Sequence, residues 1–320
     1  MSFKQEECTV YKLEEINEYC RKNAAEFIRE CDAIYAARLE DAADRITANL
    51  PNSPIVLLSG PSGSGKTTTS MKIAEVLSRR GIKTHSIAMD NYFRTITPAD
   101  VPRTPDGQYD LESPLCLDMD LLNDHFTKLT RGERIFVPKY EFARRMRVQS
   151  PSKTLKLNKN EVVVVEGIHA LNDDITNVHP EAFKLFISAC SNIYDKTGEL
   201  VFKGSWMRLC RRTVRDYLFR GTEASETLAM WGNICRGERL YISPFKDKAD
   251  LMFDSSFAYE VPVLNNMATD VFASVPEGTD RYEELHHIQP AFELFEDVPP
   301  ELLANDSLLR EFIGGGKYTY

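Results

Sequence analysis

The chain has 320 residues, 42% of them hydrophobic and 27% charged, and its formal net charge is -9. This composition is typical of a water-soluble globular protein and excludes one that binds nucleic acid through a global basic field. No apolar run approaches the roughly 18 residues of a membrane span, and the N-terminus is too charged for a signal peptide.

The first 50 residues carry apolar side chains at helical spacing. Leu13 and Ile16 share one face of a predicted helix, and Phe27, Ile28 and Cys31 share another. No side chain in this stretch suggests chemistry. We therefore expect a helical extension that packs on the core or on a partner chain.

The run Gly60–Thr67, GPSGSGKT, fits G-x-x-x-x-G-K-[ST], the pattern of a phosphate-binding loop. An apolar run at 54–58 predicts a buried strand before it, and helical spacing from Thr68 to Arg79 predicts a helix after it. A glycine turn beside a chance lysine would not need this strand–loop–helix order. We predict that Lys66 reaches the outer phosphates and that Thr67 ligates Mg²⁺. The predicted nucleotide contacts in the loop are Gly60, Ser62, Gly63, Ser64, Gly65, Lys66, Thr67 and Thr68.

Two further predicted strands end in carboxylates. Strand 84–89 ends at Asp90, and strand 161–165 ends at Glu166. Ligands of open parallel sheets bind at the carboxyl ends of the strands, so both side chains are expected near the phosphates. Asp90 could accept a hydroxyl proton, hold Mg²⁺ through water, or merely be a helix-cap or turn aspartate. Glu166 suits a ligand of Mg²⁺-bound water.

The segment between these strands predicts a long loop at 94–118 and a helix at 118–129, followed by two strands at 135–142 and 153–157. A basic turn at 144–147 joins the two strands. Tyr140 and Phe142 lie on one face of the first strand. They could stack on a planar base or belong to the core.

Residues 206–220 predict a helix with arginines crowded on one side. The four arginines recur at i, i+3, i+4 and i+7 and are Arg208, Arg211, Arg212 and Arg215. Like charges at this spacing need anionic partners, either transferring phosphoryl oxygens or structural carboxylates. Residues 190–204 predict a loop, 249–253 a last strand, and 260–320 a helical tail whose end, 312–316, is expected to be mobile.

The seven cysteines are scattered, with no C-x-x-C pair and no metal-ligand spacing. Such a set predicts reduced thiols in a cytoplasmic protein. The length allows two domains, or one α/β domain with a helical tail.

Several of these segments resemble the uridine kinase and phosphoribulokinase family. The motifs that carry the resemblance, in the family's order, are GPSGSGKTT, MDNYF at 89–93, YDLESPLCLD at 109–118, VPKYEF followed by Arg147, EGIHALN at 166–172 and RLCRRTVRDYLFRG at 208–221. The resemblance spans about residues 52–260 and extends to the kinase portion of longer bacterial members, whose tail is similar to LLREFIGGG.

The resemblance implies an α/β P-loop kinase fold with a five-stranded parallel sheet, a substrate β-hairpin and a lid helix. It divides the chain into a helical N-terminal extension (1–50), a P-loop kinase domain (51–260) and a helical C-terminal tail (261–320). It also implies ATP or GTP with Mg²⁺, a small-molecule substrate, and no nucleic-acid or membrane partner, and it leaves open a homo-oligomer.

Carried over by motif, Asp90 becomes the base on the acceptor hydroxyl, and Lys66, Thr67 and Glu166 serve phosphates and metal. Catalysis is assigned to Asp90, Lys66, Arg212 and Arg215, and nucleotide contacts on the lid to Arg208 and Arg211. The implied acceptor site consists of Asp90, Tyr92, Glu112, Tyr140, Phe142 and Arg147.

The implied reaction is phosphorylation of uridine or cytidine. The chain departs from the family's pattern at Arg145, Trp206 and Cys235. These departures put the identity of the phosphoryl acceptor in question more than the phosphoryl transfer itself. A phosphorylated sugar would need extra basic residues, which Arg94, Arg103, Arg145 and Arg147 could supply. A nucleotide-binding regulator without turnover is the third alternative.

Overall fold

The structure, a computed structural model, describes residues 8–95, 97, 99–141 and 144–320. In chain order its first elements are β1 (Val10–Lys12), α1 (Leu13–Asn49), β2 (Ile55–Ser59), α2 (Lys66–Arg79), β3 (Lys83–Ala88), α3 (Met119–Thr130), β4 (Ile135–Glu141), β5 (Met146–Leu155) and β6 (Glu161–Glu166). They are followed by α4 (Asp173–Thr176), β7 (Phe183–Ser188), β8 (Asn192–Tyr194), β9 (Leu200–Phe202), α5 (Gly204–Arg220), α6 (Ala224–Tyr241), β10 (Leu251–Asp254), α7 (Glu260–Ala273), α8 (Leu285–Phe292) and α9 (Arg310–Ile313).

Five parallel strands in the order β10-β7-β2-β6-β3 form the central sheet. This confirms the predicted α/β fold with a five-stranded parallel sheet. Strand β2 lies in the middle and is buried along its whole length. Its side chains alternate between two apolar cores, with Val56 and Leu58 in one and Ile55 and Leu57 in the other. Burial on both faces explains why β2 and β6 are continuous apolar runs in the sequence.

The two cores have different partners. On one face, helices α1, α2 and α5 to α8 pack together with the end of the chain, where Phe312 is fully buried. On the other face, α3 and the antiparallel hairpin β4–β5 contribute Phe126 and Val137.

The predicted mobility of 312–316 is wrong for Phe312, because its ring belongs to a core. The division of the chain into an N-terminal extension, a kinase domain and a C-terminal tail, with boundaries at residues 50 and 260, remains a proposal.

A second sheet ties the beginning of the chain to the segment after β7. Strand β1 pairs in parallel with β8, which pairs antiparallel with β9, so the loop expected at 190–204 holds two strands. Each has three residues, too few to show a period in the sequence. Cys8 forms a disulfide with Cys190, and the prediction of seven reduced thiols is wrong for this pair. Their separation of 182 residues hides the pairing from any local pattern.

Helix α6 was not foreseen from the sequence, although it carries a recognisable signal. Glu223 and Glu226 form a capping box at its start, and Leu228, Trp231 and Ile234 are buried at helical spacing.

Among the described residues, none of the helices is both long and apolar enough to cross a membrane.

Candidate active site

The glycine loop connects β2 to α2 and is closely packed on both sides. Gly63 and Gly65 both have φ of +76°, a left-handed conformation that glycine adopts without strain. A Cβ on Gly63 would lie 2.8 Å from the backbone oxygen of Arg208 on α5, and one on Gly65 would lie 2.7 Å from Leu308 Cδ1. The conformation and the neighbouring atoms therefore both require glycine at these two positions.

Lys66 opens helix α2 and faces back toward the loop. Its Nζ donates to the carbonyl oxygens of Gly60 at 2.9 Å and Pro61 at 3.0 Å. Burial lowers the pKa of this ammonium, while Glu166 opposes the shift. An ammonium held by loop carbonyls is available to a phosphate that enters the loop.

A cavity of about 690 Å³ brings most of the predicted site together. Its wall is formed by the loop, the ends of β3 and β6, the long loop that ends before α3, the hairpin β4–β5, helix α5 and one residue near the end of the chain. The predicted residues in this wall are Ser62, Gly63, Ser64, Gly65, Lys66, Thr67, Asp90, Glu112, Tyr140, Glu166, Arg212 and Arg215.

Thr67 and Glu166 provide an oxygen pair suited to a magnesium ion. Thr67 Oγ1 lies 3.3 Å from Glu166 Oε1. Among the described residues, Glu166 Oε2 is a buried atom without a hydrogen-bond partner. Burial raises the pKa of Glu166 to about 7, although Lys66 lowers it. Hard oxygen donors and an unsatisfied acceptor fit Mg²⁺ or one of its water ligands.

Asp90 follows β3 in a short turn, Met89–Tyr92, and its carboxylate faces the cavity. Ala88 is the N-cap residue of that turn, so Asp90 is not a helix cap, but it does occupy the turn position that the sequence left open. The surrounding protein desolvates the carboxylate and raises its pKa, while Lys66 lowers it. A carboxylate with a raised pKa is a stronger base for a hydroxyl proton than an ordinary aspartate.

The arginines of α5 divide into two groups. Arg212 and Arg215 line the cavity, and Arg212 donates to Ser62 Oγ at 2.6 Å. Asp216, which is buried, holds Arg215 at 2.7 Å and Arg212 at 3.2 Å. Arg220 also lines the cavity and lies 3.5 Å from Asp216. One carboxylate therefore orients three cations toward a space suited to anions.

Arg208 and Arg211 do not face the cavity, in contrast to their predicted nucleotide contacts. Arg208 forms two hydrogen bonds with Glu238 at 2.8 and 3.0 Å, and Arg211 pairs with Glu260. They also donate to the loop carbonyls of residues 62 and 63, at 3.2 and 3.1 Å. For these two arginines, the structural ion pairs that the sequence left open describe the contacts.

Two predicted acceptor contacts, Tyr92 and Arg147, are not part of the cavity wall. Tyr92 is fully buried, and its hydroxyl lies 2.8 Å from His125 Nδ1. Arg147 bonds Asp118 at 2.9 Å and the Tyr92 carbonyl at 3.0 Å, so it braces the hairpin against the end of β3. Phe142 lies outside the described residues.

Two loop residues predicted to contact nucleotide lie outside the cavity wall. Gly60 binds Lys66 through its carbonyl, and Thr68 is buried with its hydroxyl on Glu311.

Glu112 and Tyr140 do line the cavity. Burial raises the pKa of Glu112, and Arg212 opposes the shift. The ring of Tyr140 lies 5.4 Å from that of Phe93, which also lines the cavity. A carboxylate beside two aromatic rings could accept hydroxyl hydrogen bonds and contact a flat apolar group.

Sequence reasoning missed several residues of this wall. Arg220 ends the arginine-rich helix and could have been included on that ground, as could Arg144 of the basic turn, whose neighbour Arg145 was considered only for a phosphorylated sugar. Glu311 lies in the tail segment LLREFIGGG, but nothing in that segment indicated the site, because the tail reaches the loop only through tertiary packing.

Residues 55–261 match the sequence profile of the Phosphoribulokinase / Uridine kinase family. Uridine kinase of Saccharomyces cerevisiae is 27% identical over 206 residues, covering 63% of this chain and 36% of that protein. Uridine kinase of Deinococcus deserti is 27% identical over 222 residues, covering 69% of this chain and 96% of that protein. A solved structure described as a possible uridine kinase from Bacillus stearothermophilus is 16% identical, with a TM-score of 0.43, covering 68% of this chain and 98% of that one. The chain thus spans about a third of the yeast relative and nearly all of the bacterial one.

Proposed function

The chain belongs to the phosphoribulokinase and uridine kinase family, and on that premise we propose that it phosphorylates the 5′-hydroxyl of uridine or cytidine with ATP or GTP. The observation that supports this proposal is one cavity whose wall carries two chemically different sets of groups. The wall includes the cations Lys66, Arg212 and Arg215, and it also includes the Glu112 carboxylate and the Tyr140 ring. The cations suit phosphates, and the carboxylate with the ring suits a nucleoside.

The proposed reaction is an in-line transfer in which positioning and charge neutralisation contribute most. Asp90 orients the acceptor hydroxyl and takes its proton as the new oxygen–phosphorus bond forms. The bond from the γ-phosphorus to its bridging oxygen breaks, and the nucleoside diphosphate leaves. Lys66 and the arginines of α5 stabilise the negative charge on the transferring group.

Thr67 and Glu166 would hold Mg²⁺, which would neutralise phosphate charge when bound. Glu112 offers two acceptor oxygens to ribose hydroxyls, and Tyr140 offers a ring to the base. Both roles are proposals that rest on the position of these side chains in the cavity wall.

A phosphorylated sugar is the second candidate acceptor. The supporting observation is that Arg144 and Arg145 line the cavity at the hairpin. Of the other arginines considered for this role, Arg147 is engaged with Asp118, and Arg103 donates to Gly107 O at 2.8 Å. Arg144 also pairs with Glu141, at 3.4 Å. Arg144 and Arg145 are the two cations of the hairpin that could bind an acceptor phosphate.

A coupled assay of ADP release with uridine, cytidine and ribulose 5-phosphate, across a Mg²⁺ series, tests the proposal. We expect turnover with a pyrimidine nucleoside and none with Lys66→Ala, whose loop lacks its cation. Lys128→Ala removes an exposed lysine on α3 and should behave as wild type. Turnover with the sugar phosphate alone would favour the second candidate. Nucleotide binding without any turnover would favour a regulator.

A further inference from the structure

The end of the chain packs directly onto the glycine loop. We call residues 306–320 the C-terminal strap. Leu308 is fully buried against Gly65, and Phe312 is fully buried with its ring 5.1 Å from the Arg211 guanidinium. Lys317 binds Glu75 on helix α2 at 2.9 Å. The strap is therefore part of the structure around the loop.

Within this strap, Glu311 bonds the first turn of helix α2. Its Oε2 accepts from the Thr68 backbone N–H at 3.2 Å and from the Thr68 hydroxyl at 2.6 Å. The Tyr320 hydroxyl lies 2.9 Å from the same Thr68 oxygen. Because the only hydroxyl proton of Thr68 goes to the carboxylate, Tyr320 is the donor to Thr68.

The Thr68 amide belongs to the group of donors that a phosphate-binding loop offers to its ligand. The first N–H of α2 to bond within the helix is that of Thr69, which reaches Gly65 O at 3.0 Å. The N–H groups of residues 66–68 precede it and have no carbonyl of the same helix to bond. Such donors at a helix N-terminus hold phosphate oxygens, and here a carboxylate takes one of them.

We propose that Glu311 competes with a nucleotide phosphate for the Thr68 amide and hydroxyl, so that the C-terminal strap lowers nucleotide affinity until this carboxylate moves aside. The inference rests on the proposed nucleotide binding at the loop. A carboxylate and a phosphate oxygen are both acceptors, and they cannot share one N–H without repelling each other.

Little movement is required for the Glu311 carboxylate to leave Thr68. Glu311 is only 8% exposed, yet it lies in the cavity wall, so rotation of its side chain would carry the carboxylate toward Lys66 and Arg220. Leu308 and Phe312 can remain buried during this rotation. Tyr320 is 56% exposed and can leave Thr68 without disturbing the core.

The competition has a kinetic signature. If only a fraction of molecules has a free Thr68, the measured affinity is lowered by that fraction, and the loss appears in association. Glu311→Gln keeps the shape and removes the charge, and we expect it to bind Mg-ATP about tenfold more tightly, chiefly through faster association. Tyr320→Phe removes a strap contact without changing charge and should tighten binding by a smaller factor.

Calorimetry with a non-hydrolysable ATP analogue and Mg²⁺, combined with stopped-flow association, tests this at two ionic strengths. Glu301→Gln removes an exposed carboxylate of the neighbouring turn, Pro300–Leu302, and controls for net charge. Tighter binding in Glu311→Gln and Tyr320→Phe but not in Glu301→Gln supports the proposal. If wild type binds the analogue and Glu311→Gln binds it equally or more weakly, the competition is overturned while the nucleotide site stands. Absence of binding in the wild type and in all three variants overturns both the competition and the proposed nucleotide binding at the loop.

Discussion

Arg211 and Glu260 form an ion pair in which neither side chain has exposed surface. Arg211 also donates to the carbonyl oxygens of Gly63 at 3.1 Å and Ser255 at 2.8 Å. The pair therefore joins helices α5 and α7 to the glycine loop and to the end of β10. The Arg211 charge, which the sequence predicted to contact the nucleotide, instead stabilises the packing around the loop.

We predict that Glu260→Gln destabilises the protein by about 3–5 kcal/mol, because it leaves the Arg211 charge buried without its partner. Urea unfolding followed by circular dichroism measures the change. The matched control is Glu296→Gln, whose partner Arg21 is 59% exposed, and its effect should stay below about 1 kcal/mol. Equal small losses in both variants would contradict the structural role of the buried pair.

The second prediction concerns the arginines in the cavity wall. Arg212→Ala and Arg215→Ala should each lower kcat by about 10³-fold with a smaller rise in KM, the pattern of a contact strengthened in the transition state. Asp216→Asn should reproduce part of the loss, because Asp216 orients both side chains. Arg45→Ala, which removes an exposed arginine on α1, is the control. Normal kcat with lowered stability would instead assign these arginines to structure.

The third prediction concerns Asp90 and pH. Asp90→Asn should keep nucleotide and nucleoside affinity within about tenfold but lower kcat at least ~10²-fold, because a general base is lost. Only the ionised carboxylate accepts a proton, and burial raises its pKa above the ordinary 3.8. The wild-type kcat should therefore fall on acidification while the pH is still above 3.8, and this limb should be missing in the variant. Unchanged activity in Asp90→Asn would place the base elsewhere.

The fourth prediction tests the proposed acceptor contact of Tyr140. Tyr140→Ala should raise the KM for a nucleoside and leave acceptor-independent ATP hydrolysis almost unchanged, since the ring belongs to the hairpin and not to the phosphate-binding loop. Phe136→Ala, on the same strand, removes a 59% exposed ring and serves as the control. Steady-state kinetics and thermal unfolding are measured together. A parallel loss of both reactions and of stability would mean that Tyr140 belongs to the core.

The local patterns of the sequence predicted the central sheet well, because each signal is carried by neighbouring residues. Strands β2 and β6 are continuous apolar runs, and the loop motif stands between a strand and a helix. Asp90 and Glu166 end their strands at the same edge of the sheet, so the rule for parallel sheets was enough to bring them into one cavity.

The partners of charged residues could not be predicted in the same way. Glu238 and Glu260 lie 30 and 49 residues beyond the arginines they bind, and Glu311 lies 243 residues beyond Thr68. Helical spacing places four arginines on one side of α5, but the neighbouring helices decide which of them face the cavity. The buried Tyr92 illustrates the same limit, since its motif contains no sign of His125 on α3.

The packing of Leu308 and Phe312 also bears on the order in which the protein assembles during synthesis. The loop and β2 leave the ribosome about 240 residues before the strap that covers Gly65 and Thr68. Domains fold as units as their chain emerges, and contacts between distant segments form last because closing long loops costs entropy. The loop therefore acquires its final surroundings only when the strap has been made. Nascent chains lacking it would present an incomplete, partly apolar surface to chaperones.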